Sequence, residues 1–404
     1  MGMSSEPTAP VSSDVRKVSF DDTRGAFAHL SNQELRFSYW VFKLMNSPLV
    51  VKISSQLGLL ALKLHLPVTW MIKATIYRQF CGGESIVDSR KSVQKLGNAG
   101  IGAILDYSVE GLSHEKDLEG TANELLQVLH EAEDDPNIPI GCMKLSGIAR
   151  FALLEKVSSK VQLTAEEQAE WERAQGRLER ICEKAASLGV PMYIDAEETW
   201  IQPAIDQLAE TMMQRFNSKR AIVFTTLQMY RHDRLAYFGK LIERARAEKF
   251  RLGVKLVRGA YLEKENERAR SKGYPTPMQA SKANTDQDYD GALDLALKHL
   301  DCVEICAGTH NEASCMLLVE HMRQKGLPNN HPHIYFSQLY GMSDYMSYNL
   351  SGSGYNVTKY LPYGPVKATV PYLIRRAEEN TAIAGQMSKE LRMIQQEQAR
   401  RKTS

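Results

Sequence analysis

From Ile101 to Pro362, short β-branched or apolar runs alternate with longer stretches of helical periodicity, and no other feature of the sequence restricts the fold as much. The runs are Ile101–Tyr107, Pro139–Ser146, Pro191–Ala196, Ala221–Leu227, Leu252–Val257, Val303–Ala307, His333–Leu339 and Asn356–Pro362, eight in all. Strands interleaved with helices pair in parallel, with the helices covering the sheet. Eight repeats fit a closed (βα)8 barrel, an α/β fold, better than an open sheet, because closure leaves no edge. A dinucleotide fold would need GxGxxG after an early strand; the nearest string, Gly352-Ser353-Gly354, has Val357 in the third glycine position. The alternation alone leaves an open doubly wound sheet as second choice.

The intervening segments carry helix punctuation. Thr121 with Glu124 and Thr164 with Glu167 fit capping boxes, and Thr285 with Asp288 is a weaker pairing of the same kind. Trp171, Ala174, Leu178, Ile181, Ala185 and Leu188 form one apolar stripe, followed by Gly189 where a C-terminal cap belongs. Val18 to Leu96 is helical in pattern, and its Leu-rich stretch reads most simply as amphipathic core. The expected division is a flexible tail over 1–14, a helical N-terminal region over 15–96, the barrel over 97–388 with its final helix over the mouth, and a polar, basic tail over 389–404.

Charge and composition exclude several function classes. Lys plus Arg (50) nearly cancels Asp plus Glu (48), so there is no global field to recruit nucleic acid. The apolar segment Pro48–Ile76 is broken by Lys52, Lys63, Lys73 and Pro67, short of the roughly 20 uncharged residues that span a bilayer. The amino terminus resembles neither a secretory signal nor a mitochondrial presequence. The cysteines (81, 142, 182, 302, 306, 315) are sparse and none form CxxC, which suits a reduced compartment. A soluble, cytoplasmic protein is expected.

In a barrel, chemistry sits where strands end. The run endings supply Asp106, Lys144, Asp195 with Glu197, Gln228, Lys255 with Arg258, Thr309 with His310, Gln338, and Tyr360 with Tyr363. A single polar ending is merely a strand leaving the core; eight endings mixing cations, carboxylates and aromatics suggest a lined pocket. Lys144 ends an apolar run and needs an anion, for which Asp195 is the nearest candidate; a Schiff-base lysine is the alternative. Lys255 and Arg258, in Val254-Lys255-Leu256-Val257-Arg258-Gly259-Ala260-Tyr261, suggest an anionic ligand approached closely by backbone at Gly259. Tyr372 precedes Arg375 and Arg376 by one helical turn, and Glu379 follows by another, a pattern suited to fork-like binding of a carboxylate. No HExxH occurs, and no metal is expected.

Lys144-Leu145-Ser146, Ile194-Asp195-Ala196-Glu197, Leu227-Gln228-Met229-Tyr230 and the Lys255–Tyr261 string resemble successive motifs of the proline dehydrogenase family. So do Thr309-His310-Asn311, Gln338-Leu339-Tyr340-Gly341-Met342, Tyr360-Leu361-Pro362-Tyr363-Gly364 and Tyr372 to Asn380, in order over residues 80–385. The resemblance implies a monofunctional flavoenzyme whose (βα)8 barrel holds FAD and oxidises L-proline to Δ1-pyrroline-5-carboxylate. It implies a quinone acceptor at a membrane surface, so that the protein would be peripheral to the inner membrane, and a separate downstream pyrroline-5-carboxylate dehydrogenase. Arg375 and Arg376 would clamp the proline carboxylate, Lys144 would neutralise its other side, and Leu339, Tyr360 and Tyr372 would pack on the ring. Asp195 would tie Lys144 to Tyr360, and Glu197, Gln228, Arg258, Gly259, Ala260, Thr309 and His310 fall where the family contacts FAD. Many members carry arginine where this chain has Lys255, which would act beside the flavin as a point charge. The alternatives are a hydroxyproline dehydrogenase, disfavoured by Tyr360, and a Schiff-base lyase using Lys144 or Lys255. From another class, a membrane-surface adaptor could use the Leu-rich helices and the basic end Arg400-Arg401-Lys402.

Overall fold

The computed structural model describes residues 18–64, 66–109, 111–382 and 384–403. Eight parallel strands close into a barrel in sequence order. They are β1 (Ile101–Tyr107), β2 (Ile140–Met143), β3 (Met192–Ile194), β4 (Val223–Gln228), β5 (Leu252–Val257), β6 (Val303–Gly308), β7 (Ile334–Leu339) and β8 (Val357–Tyr363). All eight expected runs became strands, and β1 closes on β8 with Ile104 opposite Tyr360. Alternation along each strand creates two cores. Ile104, Ile140, Cys142, Tyr193, Phe224, Cys306 and Tyr360 pack in the lumen. Their neighbours Leu105, Met192, Val223, Leu256, Ile305 and Leu361 join the larger core between sheet and helices.

Helix punctuation held at some expected places and moved at others. Thr164 and Glu167 form a reciprocal capping box on the helix Ala165–Leu188, which ends at a left-handed Gly189. Thr121 lies inside the helix Glu115–Asp134, and Thr285 lies inside Lys282–Lys298, whose cap is Ser281. Box spacing recurs by chance within a helix, so it marks a start only where the first residue of the box is itself extended, as Thr164 is.

The ends of the chain differ most from expectation. The tail foreseen over 1–14 lies outside the described residues. Residues foreseen as a C-terminal tail belong to a docked helix, Ala384–Thr403, which buries Glu390, Met393, Ile394 and Glu397. It packs on the helices Thr23–Phe27 and Asn32–Met45. Glu397 accepts from Arg400 and Arg401, and Arg401 also donates to the carbonyl oxygens of Phe27 (2.7 Å) and Leu30 (2.8 Å). The basic end is therefore tied to the N-terminal helices. The Leu-rich helix Pro48–Lys63 was expected as core, yet it buries Val51 while Leu49, Val50, Ile53, Leu57 and Leu60 are exposed. No helix among the described residues is long and apolar enough to cross a membrane.

Candidate active site

The charged cluster lies at the upper end of the lumen. Lys255 on β5 points inward and is buried; its Nζ donates to the Asp195 carboxylate, just beyond β3, and to Tyr360 Oη on β8 at 3.1 Å. Tyr360 in turn donates to Asp195 Oδ1 at 2.7 Å. The ammonium also sits 4.4 Å from the Tyr360 ring centroid and 5.8 Å from that of Tyr193. Burying an ammonium costs several kcal/mol, which a carboxylate, a hydroxyl and two ring faces offset. Burial and the Asp195 charge push the Tyr360 phenol well above its usual range, so it remains a donor. Asp195 thus pairs with Lys255 and Tyr360, and the expected Lys144–Asp195 contact is not formed. Lys144, half-buried beyond β2, instead acts electrostatically on Glu197 and Tyr372.

Glu197 is buried beside Lys144 and accepts from the Ser146 amide (3.0 Å) and hydroxyl. Burial outweighs these contacts and pushes its carboxyl up to about 7. Gln228, at the end of β4, donates to the Glu197 carbonyl at 2.7 Å. Arg258 follows β5 with its guanidinium spread over three partners: Asp286 (2.7 Å), Thr309 Oγ1 (2.7 Å) and Ser314 Oγ (3.0 Å). It also lies over the Tyr289 ring. Gly259 adopts a φ of +131°, and a Cβ there would meet the Tyr230 ring at 2.5 Å. Local packing therefore explains this glycine, whereas close approach of a ligand was expected; Ala260 beside it is half-buried.

His310 is held through both ring nitrogens. Nε2 accepts from the Leu339 amide at 3.3 Å, which leaves Nδ1 to donate to Ser343 Oγ at 2.8 Å. Burial, then the charges of Lys359, Arg376 and Arg258, push its pKa down to about 3, so the ring is neutral. Leu339 closes the lumen at the end of β7. The helix Val366–Ala382 follows β8 and presents Tyr372, with the Arg376 guanidinium 5.2 Å from its ring centroid; Arg375 is half-buried beside it. The Glu378 and Glu379 side chains lie outside the described residues.

Several participants were missed from sequence. Ser146, Asp286, Ser314 and Ser343 are ordinary polar residues whose roles depend on distant partners. Lys359 did carry a signal, as a third lysine within an apolar run. It is fully buried and faces away from the lumen, bonding Asp344 at 2.8 Å and the carbonyl oxygens of Leu339 and Met342. No cluster of His, Cys, Asp and Glu suited to a metal ion occurs among the described residues.

The donors at the mouth fit a polar, anionic cofactor. Arg258 and Gln228 face the same end as Lys255, and the buried Thr226 hydroxyl, level with Lys255 in the sheet, has no hydrogen-bond partner. An orphaned hydroxyl beneath a cationic rim is a place for a ligand acceptor.

A barrel with a charged, aromatic-lined strand-end site and a helix carrying paired arginines after its last strand is an enzyme of the (βα)8 class. The proline dehydrogenase family profile matches residues 89–389, and the chain belongs to that family of oxidoreductases. It is 35% identical to the carbapenem antibiotics biosynthesis protein CarD of Pectobacterium carotovorum subsp. carotovorum, over 80% of this chain and 83% of that one. It is 29% identical to mitochondrial proline dehydrogenase 1 of Dictyostelium discoideum, over 94% of this chain and 74% of the relative. The fold is shared with proline utilization A of Bdellovibrio bacteriovorus, solved after inactivation by N-propargylglycine. That match has a TM-score of 0.68 and 20% identity, over 90% of this chain but only 38% of the larger one.

Proposed function

We propose that the protein oxidises L-proline to Δ1-pyrroline-5-carboxylate, with FAD held at the strand ends and the electrons passed to a quinone. The single observation that carries this reading is the Asp195–Lys255–Tyr360 cluster in the lumen of a barrel of this family, followed after β8 by a helix on which Arg376 lies over the Tyr372 ring. When bound, FAD supplies an acceptor for the hydride that leaves the ring carbon next to nitrogen. Arg258, Thr309, Gln228, Glu197, His310 and the Gly259–Ala260 backbone would hold it. Arg375 and Arg376 would grip the substrate carboxylate in a fork, with Lys144 adding charge from the other side. Tyr360, Tyr372 and Leu339 would pack on the ring, while Asp195 and Lys255 fix Tyr360 in place. Positioning a small rigid substrate, more than acid–base chemistry, would supply the rate.

The Schiff-base alternative loses ground at Lys255, whose nitrogen donates to a carboxylate and a phenol and so serves as a charge partner. Hydroxyproline remains the second substrate to assay, because a hydroxyproline dehydrogenase of Xenopus laevis is 28% identical over 95% of this chain. Tyr360 favours proline, since it keeps a large buried ring in the pocket. The test is purification followed by visible spectroscopy and steady-state turnover with a dye or soluble quinone. A flavin spectrum bleached by L-proline, with slower turnover of trans-4-hydroxyproline, is expected; a colourless, folded protein that does not turn over proline would refute the proposal.

A further inference from the structure

The helix Pro48–Lys63 is apolar on its outward side, where a helix covering a core is polar. Its protein-facing side carries buried Val51 and half-buried Ser55 and Gly58. The opposite side sets Leu49 (67% exposed), Ile53 (47%), Leu57 (60%), Leu60 (52%) and Leu64 (60%) along one continuous stripe. Leu66, Trp70 and Met71 extend the exposed apolar surface into the next turn. Scattered exposed leucines need no explanation, but a contiguous row of this length does.

Charge indicates what covers it. No acidic residue occurs between Glu34 and Glu84, while Arg36, Lys43, Lys52, Lys63, Lys73 and Arg78 fall in that interval. Lys52 and Lys63 are exposed on the stripe next to the leucines, and exposed Lys43 lies over the Trp40 ring at 4.9 Å. A protein partner would need an apolar groove rimmed by acids to satisfy this face. An anionic bilayer offers an apolar interior beneath a negative headgroup layer, with an interfacial position for Trp40 and Trp70. The helix is too short to span and has the build of one that lies in the interface.

We infer that the outward face from Leu49 to Met71 docks the protein on an anionic phospholipid surface. The helix Pro48–Lys63 packs directly on Val366–Ala382, the helix of Tyr372, Arg375 and Arg376, so the docked surface would lie one helix away from the candidate site. That adds a route to a lipid-soluble acceptor, and only this added purpose rests on the proposed reaction.

The test is co-sedimentation of the full-length, cofactor-loaded protein with vesicles of equimolar phosphatidylglycerol and phosphatidylcholine, and with phosphatidylcholine alone. Binding to the anionic vesicles is expected. Leu57→Glu with Leu60→Glu should lower the partition coefficient by roughly tenfold or more, and Lys52→Glu with Lys63→Glu should abolish the preference for anionic lipid. Turnover with a soluble dye should be unchanged in both variants. Wild-type protein that stays in the supernatant, or a leucine variant that binds as well as wild type, would overturn the inference. So would a dimer that dissociates on the leucine substitutions without any vesicle effect, which would assign the face to a second copy. Vesicle binding without proline turnover would remove the proposed reaction and leave the docking surface standing.

Discussion

Lys255 and Asp195 are 60 residues apart in sequence, yet neither can be buried at low cost without the other. Lys255→Met should destabilise the protein by about 3 kcal/mol by stranding the carboxylate, and Asp195→Asn should cost a similar amount. Because each variant removes the same interaction, the double variant should fall short of their sum by roughly 1–3 kcal/mol in urea unfolding. Strict additivity would show that the two groups do not depend on one another. On the substrate side, Arg375→Ala should raise the KM for proline by roughly 100-fold, the loss of a charged fork. An unchanged KM in steady-state kinetics would remove Arg375 from carboxylate binding. The residue types of this site were legible from their positions at run ends, but their partners were not. Lys144 and Lys255 look alike in sequence, and only the closed barrel decides which of them reaches Asp195.

Among the elements, strands were the easiest to read and terminal helices the hardest. A parallel barrel strand is buried on both faces, so it appears as an unbroken apolar run such as Leu252–Val257, bounded by polar turns. The helix Ala384–Thr403 hid itself because two of the residues it buries, Glu390 and Glu397, are acidic and break the hydrophobic pattern. Glu390 accepts from the backbone amides of Ser343 (2.8 Å) and Asp344 (3.3 Å), and burial beside Asp344 pushes its carboxyl upward. Ending the chain before Lys389 would uncover the partners of Met393 and Ile394 and leave those two amides without an acceptor. The thermal midpoint should then fall by roughly 5 °C or more, as read by circular dichroism. A midpoint within experimental error of the full-length value would show that this helix adds nothing to the fold.

Taken as a whole, the molecule should respond to pH through Glu197. Its folded carboxyl lies near 7 against an ordinary value of 4.5, so the folded protein holds a proton that the unfolded chain has released. Stability from this group is therefore complete below the unfolded value and is lost as pH rises through about 7, a swing of about 3 kcal/mol. Glu197→Gln should abolish that part of the slope between about pH 5 and pH 8 in urea titrations, and parallel profiles for variant and wild type would refute it. The barrel seam has a consequence of a different kind. β1 closes on β8, and Tyr360 on β8 completes a cluster whose other members come from β3 and β5. During synthesis the first strands leave the ribosome long before the partner that seals them, and until then β1 offers an open flank to neighbouring nascent chains. The pocket therefore comes into being only once β8 has been made, and the strands already translated must stay apart from other chains until it arrives.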